Sequence, residues 1–407
     1  MRKIALAASA VCLLVSAAPL HAQEVTLRHA LTGRSLDTLS ALVARFNATQ
    51  KGKSKVVLED LKSVEDRRRL PDMALLDSDD NITFFDAAVP RYKPLYQAMK
   101  ESGQKLATKG MYPQALDAMS ENSGQLQALP IGLSVPVIYW NKDMFRKAGL
   151  DPEVAPSTWR DVQKAAGALN EVGVACPLTS SRFSWVHLEN VTLQQGQPVV
   201  NQNNRVALNG LINVKHVAML ASWYRSAYFR YYGDRAEADA RFLSGECAML
   251  TGASSLYADI FSAGKIRTGV AGLPYYDDEY GAAPGNVSPD GVGLWMLAGK
   301  SQEEYKLMAR FVAFLMQPDV QRDWVKGTGY LPMTSEAVAA LRESGVPPVV
   351  LDGAARMLSK RSDKARLRSG MQQTRVRNNI GEQIDLVWRD KATAKQALDT
   401  AMLRVNN

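Results

Sequence analysis

The sequence predicts an α/β chain folded as two lobes, and three observations predict it. Short apolar strand patterns alternate with longer helical ones along the chain. Without a 22-residue leader, 385 of the 407 residues remain, more than one hydrophobic core usually serves. Breaks rich in Gly, Pro and Asn fall at 127–136, 273–291 and 327–332. If each break is a passage between lobes, the backbone crosses three times, which leaves the termini on opposite lobes and makes a three-strand hinge. The expected lobes are 23–133 plus 286–329 and 134–285 plus 330–407. Such a layout favours closure over a ligand held between the lobes.

The elements follow in order. Residues 1–22, "MRKIALAASAVCLLVSAAPLHA", carry Arg2 and Lys3, an apolar run and small residues at the end, the pattern of a cleavable signal peptide. The run is short for a membrane span, and Cys12 follows Val11, not a small residue, which argues against lipid attachment. "VTLRHAL" (25–31) alternates as a strand does, and Leu36, Leu39, Val43 and Phe46 then recur at helical spacing. "PDMALLD" (71–77) and "VPVIYWN" (135–141) are two further strands, the latter followed by a helix that stops at Gly149. Thr158 caps the next helix, with Asp161 three residues on and Gly173 at its end. Ser301 and Glu304 repeat that device ahead of a face made by Met308, Phe311, Val312 and Leu315. "GTGYLPMT" (327–334) closes the series: Gly327 suits the left-handed position after a helix, Pro332 prevents a restart, and Tyr330 has no such local role.

Composition excludes several classes. The formal charge of +8 falls to +6 once Arg2 and Lys3 are removed. The remaining basic residues are interspersed with acidic ones. The longest basic run, Arg67 to Arg69, is preceded by Glu65 and Asp66 and has no aromatic residues threaded through it, so no nucleic-acid partner is expected. Cys176 and Cys247 form either one bridge or two buried thiols.

Hydrolytic chemistry leaves residue clusters that this chain lacks. Three histidines remain after the leader, His29, His187 and His216, with no HExxH and no His/Cys grouping at metal-ligand spacing. "GLSVP" around Ser134 is half a nucleophile elbow without its second glycine. "DSDDN" (77–81) begins like a calcium loop, but Ile82 stands where glycine is needed and Ala88 where the bidentate glutamate belongs. "GVGLW" and "GTGYL" do not complete a dinucleotide fingerprint. No enzyme, cofactor or metal is expected. What remains near the breaks is hydroxyl, glycine, aromatic and arginine residues, a set that binds polar or anionic ligands.

The segments "LPIGLSVPVIYWNKDMFRKAGLDPEVAPSTWRDV", "VKHVAML", "FLSGECAML", "GVGLWML", "KGTGYLPMT" and "VWRDKATAKQALDTA" resemble the extracellular solute-binding proteins of ABC importers, the maltose-binding-like class and in particular its glycerol-phosphate-binding members. The resemblance is specific from about residue 128 onward and weaker before it. It implies the type II periplasmic-binding-protein fold. Its expected product is a monomeric periplasmic receptor that delivers a small anionic polyol phosphate, glycerol 3-phosphate or a glycerophosphodiester, to the transmembrane permease subunits.

Residue by residue, the resemblance places Ser134, Gly291 and Tyr330 at the three crossings and makes Arg375 the phosphate-contacting arginine. Ser78 stands where the class has a glutamate, which leaves Asp77 or Asp79 as the substitute carboxylate, and Ser254 lies beside Ala253, where a serine is expected. Arg182 replaces a tryptophan that covers the ligand, while Trp185 three residues on is retained. The first-lobe tyrosine of the class has no counterpart. A guanidinium in place of an aromatic lid removes a stacking surface and adds charge, which implies a bulkier or more highly charged anion. The competing readings are a neutral-sugar receptor using Trp185, Tyr330 and Asp77 or Asp79, a secreted phosphodiesterase, and a sensor subunit.

Overall fold

The described residues form eleven strands and the helices between them, with the central strands buried on both faces and the helices buried along one. The computed structural model describes residues 23–61, 70–77, 91–120, 124–233, 235–278, 287–342, 351, 358 and 371–407. Residues 1–22, the run Arg67 to Arg69, Ser78 and Asp79 lie outside these residues. The strands are β1 (Gln23–His29), β2 (Ser54–Asp60), β3 (Met73–Leu76), β4 (Tyr92–Lys93), β5 (Leu129–Ser134), β6 (Pro136–Asn141), β7 (Cys176–Ser180), β8 (Phe229–Arg230), β9 (Cys247–Ala253), β10 (Thr268–Gly272) and β11 (Asp290–Leu297).

They form two sheets, one per lobe. The first has the order β2-β1-β3-β11-β4, with β5 also paired to β11; the second has the order β10-β6-β9-β7-β8. β1 runs parallel to β2 and β3, whereas β11 is antiparallel to β3, β4 and β5. β7 is parallel to both β8 and β9, with β6 antiparallel to β9. In both lobes, then, the carboxyl ends of the parallel strands lie together at one edge, where open α/β sheets hold their ligands.

Local chemistry sets the helix ends. Thr158 and Asp161 form a reciprocal capping box, as do Ser301 with Glu304 and Thr393 with Gln396; each typically contributes about 1 kcal/mol. Leu307, Met308, Phe311, Val312 and Leu315 on the helix Gln302–Leu315 are buried in the first core, at about 1.5–3 kcal/mol each relative to exposure. Two expectations change here. The left-handed cap after the helix Pro318–Thr328 is Gly329 (φ 77°), not Gly327. Gly327 is still helical and lies against Thr38, whose Oγ1 would stand 2.0 Å from an added Cβ.

The third passage also comes later than residue 330. Leu331 donates its amide to the Leu133 carbonyl at 2.7 Å, Tyr112 donates to the Met333 carbonyl at 2.9 Å, and Leu331, Met333 and Leu341 are buried in the first core. These hydrogen bonds, with that from the Ser335 amide to the Gly110 carbonyl, keep 331–335 with the first lobe, and the helix Met371–Trp388 is a described element of the second.

The second lobe is fastened covalently and by a buried polar string. Cys176 and Cys247 are disulfide-bonded, joining β7 to β9 at directly opposed positions. His187 Nδ1 meets His216 Nε2 at 2.9 Å, His187 Nε2 reaches Ser180 Oγ (2.9 Å) and Thr251 Oγ1 (3.0 Å), and His216 Nδ1 reaches Tyr276 Oη (2.7 Å). Burial pulls the His216 imidazole down to about 3 and holds His187 well below its ordinary value, so both rings are neutral. They are satisfied core histidines.

Candidate functional site

The interlobe site begins at the shortest crossing. β5 leaves the first sheet at Ser134 and β6 enters the second at Pro136, with Val135 alone between them. Val135 donates its amide to Ser254 Oγ (3.1 Å) and accepts the Ser254 amide at its carbonyl (2.9 Å). Tyr139 Oη donates to the carbonyls of Ala253 (3.0 Å) and Ser254 (2.9 Å). Ser254 thus braces the crossing and holds the turn after β9 against it.

The second crossing runs alongside. Asp290 and Gly291 of β11 pair with Ser134 and Leu133 of β5. A Cβ on Gly291 would stand 1.7 Å from the Gly132 carbonyl oxygen, so no side chain fits there. Gly132 in turn carries the Tyr330 ring, whose Cδ2 and Cε2 would lie 2.9 Å from an added Cβ. Tyr330 stacks on Trp324 with centroids 6.2 Å apart, and Trp324 Nε1 donates to the Ile131 carbonyl at 2.7 Å. Ser134, Gly291, Tyr330 and Ser254 therefore come together where the strands cross. Among the described residues the buried Ser134 hydroxyl has no hydrogen-bond partner, an arrangement that costs about 1–3 kcal/mol until water or a ligand satisfies it.

A row of alternating charge lines the same junction. Arg377 donates Nε and Nη2 to Glu189 Oε1 (2.8 Å) and Oε2 (3.0 Å), and Nη1 to Asp290 Oδ2 (2.6 Å). Burial pushes the Asp290 carboxyl up, yet the Arg377 charge, the Arg182 charge and the Gly291 amide more than offset it and hold the group below its usual range. Arg182 occupies a left-handed turn (φ 52°) and its charge also acts on Asp239. Asp239 is raised to about 6 by burial, with the Ser181 hydroxyl and Arg182 pulling it partly back. In sum the guanidinium groups of this row are held among carboxylates.

Several expected residues stand elsewhere. Arg375 is exposed on the outside of the helix Met371–Trp388, donating Nη2 to the Arg404 carbonyl at 3.0 Å. Two residues along a helix is more than half a turn, so Arg377, not Arg375, faces the junction. Trp185 is no lid: it is 1% exposed, and its Nε1 donates to the Ser288 carbonyl at 2.9 Å, pinning the chain that leads into β11. Arg182 is half-buried beside that tryptophan's helix, and Asp77 is half-buried one residue beyond the end of β3. Ser78 lies outside the described residues.

Sequence reasoning missed Arg377, Glu189, Asp290 and Asp239. The only local signal was "TRVRNN", in which two arginines on one helix cannot both face outward. It also missed Arg34, at the start of the helix Gly33–Thr49, which contacts both lobes.

The known proteins that this chain is similar to can now be set beside this geometry. The family model described as bacterial extracellular solute-binding protein matches residues 41–347. The sn-glycerol-3-phosphate-binding periplasmic protein UgpB of Escherichia coli (strain K12) is 36% identical over 328 residues, covering 77% of this chain and 74% of that protein. UgpB of Yersinia enterocolitica is 32% identical over 326 residues, with the same coverage of 77% and 74%. Among solved structures, UgpB from Mycobacterium tuberculosis in complex with glycerophosphocholine has a TM-score of 0.74 at 20% identity, covering 94% of this chain and 97% of that one. Maltose-bound MalE3 of T. maritima has a TM-score of 0.74 at 16% identity, covering 94% and 99%.

Proposed function

The chain belongs to the bacterial extracellular solute-binding proteins, and from that premise we propose that it captures a small phosphorylated polyol between its lobes and presents it to the permease of an ABC importer. The observation that carries this reading is the 36% identity to a glycerol-3-phosphate-binding protein over 77% of the chain. Ser134, Gly291, Tyr330 and Ser254 are proposed as the hinge side of the solute site, with Asp77 and Ser78 contributing from the first lobe. The lobes are taken as 23–133 plus 286–342, and 134–285 plus the helices from Met371 onward. Proposed with it are a cleavable leader at 1–22, a periplasmic location, a monomeric state and the absence of any catalytic step.

The mechanism is a shift in population. Contacts made to both walls of the cleft exist only in the closed form, so solute favours that form by its differential affinity, and the permease reads the resulting shape. At Arg182 a cation replaces an aromatic cover, which suits a glycerophosphodiester or a more highly charged phosphate at least as well as glycerol 3-phosphate. Arg182→Trp is expected to change the ranking of these solutes; unchanged affinity and ranking would reject that role.

One observation favours a second reading. Arg377 is neutralised by Glu189 and Asp290, and Arg375 is outside, so a neutral sugar is the alternative solute. Calorimetric titration of refolded, solute-stripped protein with glycerol 3-phosphate, glycerophosphocholine, inorganic phosphate and maltose decides between them. Saturable binding of a glycerophosphate compound supports the first reading, and binding of maltose alone replaces it with the second.

A further inference from the structure

Three arginines of the junction are committed or turned away: Arg377 is paired with two carboxylates, Arg182 feels the charges of Asp290 and Asp239, and Arg375 faces solvent. Arg34 differs from all of them. It is the second residue of the helix Gly33–Thr49, which begins four residues after β1 ends and so stands at the cleft edge of the first sheet. Its Nη1 donates to the carbonyl of Ala258, on the second-lobe helix Tyr257–Ala263. Its Nη2 donates to the carbonyl of Lys326 at 3.1 Å, on the first-lobe helix Pro318–Thr328. Both partners are uncharged main-chain acceptors that orient the guanidinium without cancelling its charge. Among the described residues no carboxylate pairs with it.

The surroundings reinforce the placement. Gly329 packs so closely on the second lobe that an added Cβ would stand 2.1 Å from the Ser255 carbonyl oxygen and 2.7 Å from Ala258 Cβ. Arg34 therefore sits at a direct lobe-to-lobe contact, bonded to Lys326 four residues before Tyr330. An arginine carries five N–H donors, and two carbonyls use two of them. The rest remain for a phosphate or carboxylate oxygen, and charge-assisted bonds to such oxygens are about twice as strong as neutral ones.

We propose that Arg34 is the residue that reads the negative charge of the solute and ties that reading to closure, because its contact with Ala258 exists only when the lobes meet. The inference rests on the anionic-solute reading above. It makes Arg34 a specificity-determining residue: a neutral polyol would fill the cleft without using the unpaired charge, whereas a phosphate ester would use it and complete the bridge.

The test uses the full mature chain, unaltered and as Arg34→Gln and Arg34→Lys, titrated calorimetrically with glycerol 3-phosphate and with glycerophosphocholine, while small-angle scattering follows compaction. Arg34→Gln is expected to weaken both phosphate esters by 30-fold or more and to abolish solute-induced compaction. Arg34→Lys, which keeps the charge but cannot span two carbonyls, is expected to recover affinity to within about tenfold of the unaltered protein. Equal losses in the Gln and Lys variants would reduce Arg34 to a structural bridge, and an unchanged Arg34→Gln would remove it from the site; either overturns the proposal. If the unaltered protein bound no phosphate ester, the solute reading itself would fail, an outcome visible before any variant is made. Thermal melting of each variant identifies misfolding, and the Lys variant keeps the test decisive if Arg34→Gln does not fold.

Discussion

Arg377 Nη1 lies 2.6 Å from Asp290 Oδ2, joining a helix of the second lobe to the first residue of a strand in the first. Asp290 is also the residue opposite Ser134, where β5 leaves the sheet. One ion pair thus fastens the point at which two of the lobe crossings run side by side. Its other arm, to Glu189, shows why the arginine cannot be spared: it is the cation that two buried carboxylates share.

Arg377→Met should destabilise the fold by roughly 3–5 kcal/mol, because Glu189 and Asp290 would remain buried without their cation. Urea unfolding at pH 7 measures the loss. Lowering the pH should restore part of it as the two carboxyls take up protons, and a variant as stable as the unaltered chain would show that water reaches this junction.

Gly291→Ala should be poorly tolerated although alanine is small. Its Cβ would stand 1.7 Å from the Gly132 carbonyl oxygen, a main-chain atom that cannot rotate away. The β5–β11 register must shift, which costs about 1–3 kcal/mol or more and carries Ser134 with it. The melting temperature and solute affinity are both expected to fall.

Asp239 should make stability depend on pH. Its folded value of about 6 lies above the ordinary value of 3.8. The folded form therefore keeps its proton longer than the unfolded one, and the stability this provides is full below about pH 4 and lost as pH rises through 6. Across that window the unaltered chain should lose roughly 3 kcal/mol relative to Asp239→Asn. Chemical denaturation of both proteins from pH 4 to 7.5 checks the sign; parallel curves would place Asp239 in water.

Removing the Cys176–Cys247 bridge should cost about 4 kcal/mol on the chain-entropy account for a 71-residue separation. The bridge joins β7 to β9 within one sheet and does not cross the junction. Calorimetry with and without reductant should show a lower melting temperature, while solute affinity of the reduced, still-folded protein stays within a few-fold.

Local signals were legible in the sequence and tertiary ones were not. The capping boxes at Thr158 and Ser301 depend on residues three apart, and both were readable. The helix stop was misplaced by two residues because "GTG" offers two glycines, and the first is needed inside the helix because Thr38, far away in sequence, leaves no room for a Cβ there. The phase of the last-lobe arginines could not be read for the same reason. Arg377 faces inward because Glu189 waits 188 residues earlier in the chain, a pairing that no local spacing records. Tyr330 was placed at the junction by resemblance, and the bare Gly132 beneath its ring supplies the physical reason it lies there. The third crossing was read from composition at 330, but the glycines and proline there mark a tight passage across β5, not a departure from the lobe.

The place of β11 in the first sheet bears on the order in which the chain can acquire its shape. It lies between β3 and β4 in space, yet it arrives more than 200 residues after β3 in sequence. As the polypeptide emerges from its amino end, β1, β2 and β3 can assemble early, but the free edge of β3 stays unsatisfied until Gly293 to Met296 reach it. The whole second sheet is made in that interval. The second lobe is thus an insertion that can mature while its host is unfinished, and the exposed edge of β3 is the surface on which a premature partner, or a chaperone, would act.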